Sequence, residues 1–371
     1  MNAMGVIFSN IYDSSMGDLT DHRTSAAIPF GGRYRQVDFA LSNMAKADIK
    51  HLAIITKYNY ESLMLHLGSC AEWDMTLEEN GVVLLPPYAT GHTGVYRGKL
   101  EALYTALVML ELSKEDYVVL TDTSVLAAVE LRKAIQSHID SGCDLTVICK
   151  DGQCDGKREQ TLAVLTDENG KVTDMTVDFA ATAEYSASMG MFVISRKLLM
   201  DIVRSTVPHG KYHWERDFIQ AEFLKKTISL NVYKHPTVAL FNESAAEYYE
   251  NSMALLDSKV RKELFHSEVP IYTQTRNEVP AFYGDNAKVN ECIVADGCKL
   301  YGQCNRSVLF REVLLEEGSQ VSDSVIMQGS KVGTGAVLQY VVLDKAVTVK
   351  PYTRLIGSPT HPLYIKKGAI V

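Results

Sequence analysis

The chain has 371 residues, 46% of them apolar and 22% charged, with 37 basic and 45 acidic side chains and a net charge of −8. At roughly 100–200 residues per domain there is room for two domains, each able to bury a core without disulfides. An acidic balance with no long single-sign block excludes a nucleic-acid binder held by phosphate contacts, but not a small anionic ligand, which needs only a local cluster of Arg or Lys. Seven cysteines, an odd number with no Cys-x-x-Cys pair, read as reduced thiols and not as a disulfide framework or zinc site. The opening MNAMGVIFSNIYDSS is a short apolar run without a basic flank. It is expected to form a first buried strand, with neither a signal peptide nor a membrane span, in a cytoplasmic protein.

Residues 3–8 begin a pattern in which strand-like and helix-like segments alternate. Residues 37–47 read as a helix and 51–56 as a strand. Leu100, Leu103, Tyr104, Leu107 and Leu110 share one helical face, and 117–121 is a buried strand. Leu131, Ala134, Ile135 and Ile139 mark another helix, and 144–149 the next strand. Such alternation predicts an α/β domain with a largely parallel sheet, whose ligands sit beyond the carboxyl ends of the strands. The loops after Phe8 and Thr121 are therefore the places to examine. Residues 245–262 read as a connecting helix, and 267–272 as the entry to the second half.

From Cys292 to Leu355 the chain repeats with a period of seventeen. Cys292, Leu309, Ile326 and Leu343 form one apolar column. Cys298, Leu315, Val332 and Val349 form a second, and Cys304, Val321, Leu338 and Leu355 a third. Gly297, Gly302, Gly318, Gly329, Gly333 and Gly335 fall at the corners between them. Three inward residues per short period is the hexapeptide pattern of a β-helix, each coil a triangle of strands stacked about 4.8 Å above the last. The first-coil cysteines then serve as small core hydrophobes. Hexapeptide β-helices often serve as acyltransferases that use a catalytic histidine, and no histidine occurs between Cys292 and Leu355. His92 and His361 have no base or nucleophile beside them in sequence.

The stretch IPFGGRYRQVDFALSN at 28–43 and Leu19-Thr20-Asp21-His22-Arg23 before it closely resemble the ADP-glucose pyrophosphorylases (glucose-1-phosphate adenylyltransferase family). Ser188-Met189-Gly190-Met191-Phe192-Val193, Tyr248-Tyr249-Glu250-Asn251, Ser324-Val325-Ile326-Met327 and Val341-Val342-Leu343-Asp344-Lys345 continue the likeness in order over nearly the whole chain. It implies a GT-A-like (Rossmann-like) nucleotidyltransferase domain over 1–244, a connecting helix over 245–268 and a left-handed parallel β-helix over 269–371. Active members of the family join ATP to glucose 1-phosphate by in-line phosphoryl transfer. A glycine-rich loop, lysines and Mg²⁺ held by two aspartates carry the charge.

This chain departs from that pattern. The glycine-rich loop is Ser9-Asn10-Ile11-Tyr12-Asp13-Ser14-Ser15-Met16-Gly17, with Asp13 repelling phosphate and no arginine. Ser25 stands at the expected position of the catalytic lysine, and Phe241 at that of the second metal aspartate in the best alignment, with Asn242 or Glu243 as a weak ligand if the alignment shifts by a few residues. Asp122 keeps the first metal aspartate, and Gly98-Lys99-Leu100-Glu101-Ala102 matches a motif in part. No sugar-phosphate Glu-Lys-Pro motif occurs between Val172 and Ser188. The resemblance is to the GlgD-type, non-catalytic subunit. It implies a regulatory chain of a hetero-oligomer, a tetramer with the catalytic ADP-glucose pyrophosphorylase subunit, in glycogen biosynthesis, with no catalytic residues and no cofactor of its own. The alternatives are an active sugar-1-phosphate nucleotidyltransferase using Mg²⁺ around Asp122, or a nucleotide or sugar-phosphate sensor. Arg33 stands where catalytic subunits carry a lysine linked to a phosphorylated activator. Arg23, Arg33, Arg35, Lys50 and His51 are the expected effector or anion-binding cluster. Gly31 and Gly32 are either a ligand loop or a tight turn, and Asp38 is expected to pair with a nearby arginine.

Overall fold

The computed structural model describes residues 2–10, 13–75, 81–87 and 95–371. The apolar run β1 (Ala3–Phe8) is buried along its whole length, as a strand covered on both faces must be. It pairs in parallel with β2 (Leu52–Ile55) on one side and β4 (Tyr117–Asp122) on the other, and β3 (Val82–Leu85) lies outside β2. Beyond β4 come β6 (Ser186–Ser195), β5 (Leu145–Lys150) and β7 (Leu230–Lys234), giving the order β3-β2-β1-β4-β6-β5-β7. The expected parallel arrangement has exceptions. Strand β6 runs antiparallel to β4 and β5, with Met191 opposite Thr121 and Ile148. At Ser186 and Ala187 it also pairs antiparallel with a further strand, Ala163–Thr166, itself antiparallel to Val172–Thr176.

One face of this sheet packs Ile7, Ile54 and Val119 on Val37, Leu41 and Met44 of the helix Gln36–Lys46. The other packs Met4, Val6, Phe8 and Leu120 on Leu100, Leu103 and the helix Arg196–Thr206. Two expected helices are broken. The segment around 100–110 divides into Lys99–Thr105 and Leu107–Leu112, with the Thr105 hydroxyl turned back onto the Ala102 carbonyl at 2.7 Å. The connector divides into Ala245–Ala254 and Ser258–Phe265, because the Asp257 side chain accepts from the Lys259 N–H and so caps a new helix start.

The C-terminal half is a parallel β-helix of three five-stranded faces. Its coils repeat every seventeen residues with inward positions spaced six, six and five: Leu309, Leu315, Val321, then Ile326. The first coil corrects the sequence reading. Leu309 pairs with Val294 and Leu315 with Leu300, so those two residues, and not Cys292 and Cys298, head the columns. The cause is a missing two-residue corner. Where later coils turn through Glu317-Gly318 or Thr334-Gly335, the first turns through Gly302, whose hypothetical Cβ would lie 2.1 Å from Ser319 Oγ. Cys298 and Cys304 are still buried, but Cys292 is half-buried at a corner, its Sγ 3.4 Å from Cys304 Sγ.

Residues 267–272 do not enter the β-helix. Val269 and Ile271 are buried against the α/β domain, and the Tyr272 N–H donates to Ser42 Oγ at 2.8 Å. The two halves share an apolar seam in which Phe30, Phe39, Tyr248 and Tyr249 meet Val308, Phe310, Val325 and Met327. Tyr248 donates its hydroxyl to the Pro29 carbonyl at 2.8 Å and Tyr249 to Asp323 at 2.7 Å, which gives the Tyr-Tyr pair a structural purpose.

Candidate functional site

Two places collect the chemistry. The first is the crevice beyond β1 and β4. Here the residues replacing the glycine-rich loop bond to one another. Asn10 Oδ1 accepts from Ser9 Oγ, Thr56 Oγ1 and the Lys57 N–H at 2.8–2.9 Å, while Asn10 Nδ2 donates to Asp13. The Asp13 carboxylate also accepts the Ser25 N–H at 2.7 Å, and Ser25 Oγ donates to the Ser9 carbonyl at 3.1 Å. A backbone amide of the kind that would cradle a phosphate is thus spent on an internal carboxylate. Burial raises the Asp13 pKa, with the Asn10 and Ser25 hydrogen bonds opposing. Ile11, Tyr12 and His92 lie outside the described residues.

Asp122 ends β4 and is 1% exposed. Lys99 Nζ donates to its Oδ2 at 2.8 Å and also to Glu215 Oε1. Gly190, at φ +64° in a bulge of β6, leaves room for this carboxylate, since a Cβ there would lie 2.4 Å from Asp122 Oδ2. Burial alone would push Lys99 down, but Asp122 and Glu215 together carry its pKa above the ordinary value. Asp122 is raised by burial, against the pull of Lys99. The expected second metal position is apolar: Phe241 is buried beside Val125 and Met189. Among the described residues, no group of three or more His, Cys, Asp or Glu could hold a metal ion.

The second place is a cationic cleft on the seam, lined by Arg33, Arg35, Arg276, Arg311, Lys345 and Gln328 among others. Gly31 at φ +59° and Gly32 at φ +86° form the turn between Pro29–Phe30 and Tyr34–Arg35, with Gly32 packed against Ile293 and Ala295 of the β-helix. That turn delivers Arg33, exposed at the rim, and Arg35, whose Nη1 donates to the Ser62 carbonyl and hydroxyl at 2.6 and 2.8 Å. Asp38 does not pair with a guanidinium. Its Oδ2 accepts the Arg35 backbone N–H at 2.9 Å at the start of the helix, and its Oδ1 meets His66 Nε2. Arg23 is buried, and its Nη2 donates to both carboxylate oxygens of Asp344 across the seam, at 2.8 and 3.0 Å.

Positive charge here exceeds the carboxylates that answer it. Burial lowers Arg35 to about 10, with Asp38 opposing and Arg23 and Arg276 adding to the fall. Burial, Arg35 and Arg23 bring Lys345 down to about 7, with Asp344 opposing and Arg276 adding. Arg311 is lowered by burial and by Arg276, and its Nε has no hydrogen-bond partner among the described residues. Its nearest carboxylate, on Asp296, is 3.8 Å away. A dianion with several oxygens would satisfy these donors.

Of the five cations expected from sequence, Arg33 and Arg35 line the cleft and Arg23 lies behind it. Lys50 and His51 do not join: they precede β2 and pair with Asp74 and Glu115. Arg276, Arg311 and Lys345 were not anticipated. The repeat held a signal for two of them, because Arg311, Gln328 and Lys345 are one polar column at the same seventeen-residue spacing. His361 sits in an exposed turn beside Thr360 Oγ1.

The nucleotidyl transferase family matches residues 14–231, and the GlmU-like C-terminal hexapeptide family matches 279–361. The glycogen biosynthesis protein GlgD of Bacillus subtilis (strain 168) is 30% identical over 367 residues, 99% of this chain and 96% of that protein. The glucose-1-phosphate adenylyltransferase of Bacillus thuringiensis (strain Al Hakam) is 28% identical over 344 residues, 92% of this chain and 91% of that protein. That of Bacillus anthracis is 27% identical over the same length and the same shares. With both halves of the fold matched and a relative aligned almost end to end, the chain belongs to the nucleotidyl transferase family, in the GlgD-type group related to the glucose-1-phosphate adenylyltransferases, with a left-handed hexapeptide β-helix as its second half.

Proposed function

We propose that this chain is a non-catalytic regulatory subunit that associates with a catalytic glucose-1-phosphate adenylyltransferase chain, as a hetero-oligomer of tetramer size. In this reading it modulates ADP-glucose formation for glycogen synthesis, and its seam cleft takes a phosphorylated small molecule. The observation that carries this reading is the contrast between the two places. The ancestral crevice is cross-bonded internally through Asn10, Asp13 and Ser25, whereas the cleft keeps an unanswered donor on Arg311 and holds Lys345 against Arg35, Arg23 and Arg276. The likeness to GlgD over 99% of the chain supports the pathway, and the likeness to the adenylyltransferases supports the choice of partner. A partner can shift the catalytic chain's equilibrium only through contacts that differ between its two conformations, so a ligand that stiffens the seam is a means of doing so.

The test is co-expression with the catalytic chain, followed by gel filtration and kinetics with and without fructose 1,6-bisphosphate and inorganic phosphate. A complex is expected, with Vmax, substrate affinity or effector response altered, and the effector response reduced when Arg35 and Arg311 are changed to Gln. No complex and no kinetic change would end the reading. The isolated chain with ATP, glucose 1-phosphate and Mg²⁺ is expected to show negligible turnover. A rate above ~0.1 s⁻¹, a tenth of the lower end of usual enzyme rates, would favour an active nucleotidyltransferase instead.

A further inference from the structure

The family's chemistry calls for a divalent cation between two aspartates at the crevice, and the residues present do not suit one. Phe241 offers no ligand, and Asp122, the remaining aspartate, is already paired with an ammonium. We propose that Lys99 Nζ permanently takes the cation's position, so that the native chain binds no divalent ion there, and that removing Lys99 opens a divalent-cation site on Asp122 and Glu215. The inference rests on the non-catalytic reading above and sharpens it.

Four independent features enclose the ammonium. Lys99, Asp122 and Glu215 are 4%, 1% and 7% exposed, so the charges meet out of water. Lys99 Nζ lies 5.8 Å from the ring centroids of both Phe8 and Phe192, one at the end of β1 and one on β6. Gly98 lets the lysine enter: a Cβ there would lie 2.3 Å from the Tyr212 carbonyl, which instead receives the Leu100 N–H at 2.9 Å. That same close approach anchors the chain leading to Trp214–Gln220, the segment carrying Glu215. Finally, Asp122 Oδ1 is buried with no hydrogen-bond partner among the described residues. A second oxygen is thus left over on Asp122, as expected where a three-donor ammonium replaces an ion that takes six ligands.

The ammonium cannot share the pocket with Mg²⁺. A divalent ion brought within coordination distance of Asp122 would stand against a buried cation of like charge, with no water to screen the repulsion. Mg²⁺ also gives up its own waters reluctantly, and a dry, cation-filled pocket offers it nothing in exchange.

Manganese binding tests this without any partner chain, so its result is separable from that of the co-expression experiment. The free Mn²⁺ signal is followed by electron paramagnetic resonance as protein is titrated in. The wild type is expected to leave it unchanged, whereas Lys99→Ser is expected to remove about one ion per chain. Lys99→Ser/Asp122→Asn is expected to lose that uptake. Uptake by the wild type that Asp122→Asn abolishes would overturn the proposal, as would a folded Lys99→Ser chain that takes up no Mn²⁺. If Lys99→Ser does not fold, the comparison of wild type with Asp122→Asn decides by itself. Equal, negligible uptake by both sustains the proposal, and Asp122-dependent uptake sinks it.

Discussion

Lys345 carries the clearest single-residue consequence of the cleft. Its ammonium is half-buried among Arg35, Arg23 and Arg276, which brings its pKa from 10.5 to about 7. Unfolding restores the ordinary value, so between about pH 7 and 10.5 the unfolded chain binds more protons than the folded one. Stability contributed at this site therefore rises with pH across that window. The folded chain bears the full penalty at pH 7 and below, and none above about 10.5. Lys345→Met is accordingly expected to be more stable than wild type near pH 7, with the gap closing toward pH 10. Urea midpoints of the two proteins at several pH values check this, and a gap independent of pH would refute it. An anion in the cleft acts oppositely, holding the proton on Lys345. Calorimetric titration of inorganic phosphate at pH 8, in buffers of different ionisation enthalpy, is expected to show proton uptake that Lys345→Met removes.

At the scale of elements, the β-helix was legible because its apolar columns recur, and the sheet because its buried strands are continuous apolar runs. What misled was equally physical. Cys292 and Cys298 fit a seventeen-residue period, but a corner two residues shorter puts Val294 and Leu300 in the columns. Lys50 and His51 are near Arg35 in sequence, yet the helix Gln36–Lys46 carries the chain away from the cleft before β2 begins. Lys99 looked like one mismatch in a motif, because its partner Glu215 is 116 residues distant. The cleft was half visible: its β-helix wall is a polar column, and polar columns do not declare themselves by hydrophobicity. One strut between elements is testable directly. Arg23 and Asp344 are both buried and joined through Arg23 Nη2, and their segments lie in different halves. Removing one partner strands a buried charge, so Asp344→Asn is expected to cost about 3–5 kcal/mol in denaturant unfolding. The double change Arg23→Met/Asp344→Leu is expected to cost less than the sum of its parts. A loss under ~1 kcal/mol for Asp344→Asn would mean that water reaches the pair.

For the whole molecule, the placement of the cleft matters more than its composition. Arg33 and Arg35 belong to the α/β half, Arg311 and Lys345 to the β-helix, and Arg276 to the segment between them, so an anion bound as proposed would be held from both sides of the seam. Like cations gathered there repel across the seam while no anion is bound, and attraction to a common dianion replaces that repulsion when one binds. Binding to the folded chain alone, at a hundred times Kd, stabilises by about 2.7 kcal/mol. With unfolding entropy near 2.1 cal/mol/K per residue, that corresponds to a rise in Tm of roughly 3–4 °C for a chain of this length. Fructose 1,6-bisphosphate or phosphate at saturating concentration is expected to produce such a shift. Because the grip is two-sided, Arg35→Gln and Arg311→Gln are each expected to abolish most of it, although they lie in different halves. Scanning calorimetry makes the comparison. A full shift retained by Arg311→Gln/Lys345→Met would place the anion wholly on the α/β half, and the seam could then no longer be the element through which a ligand reaches a partner chain.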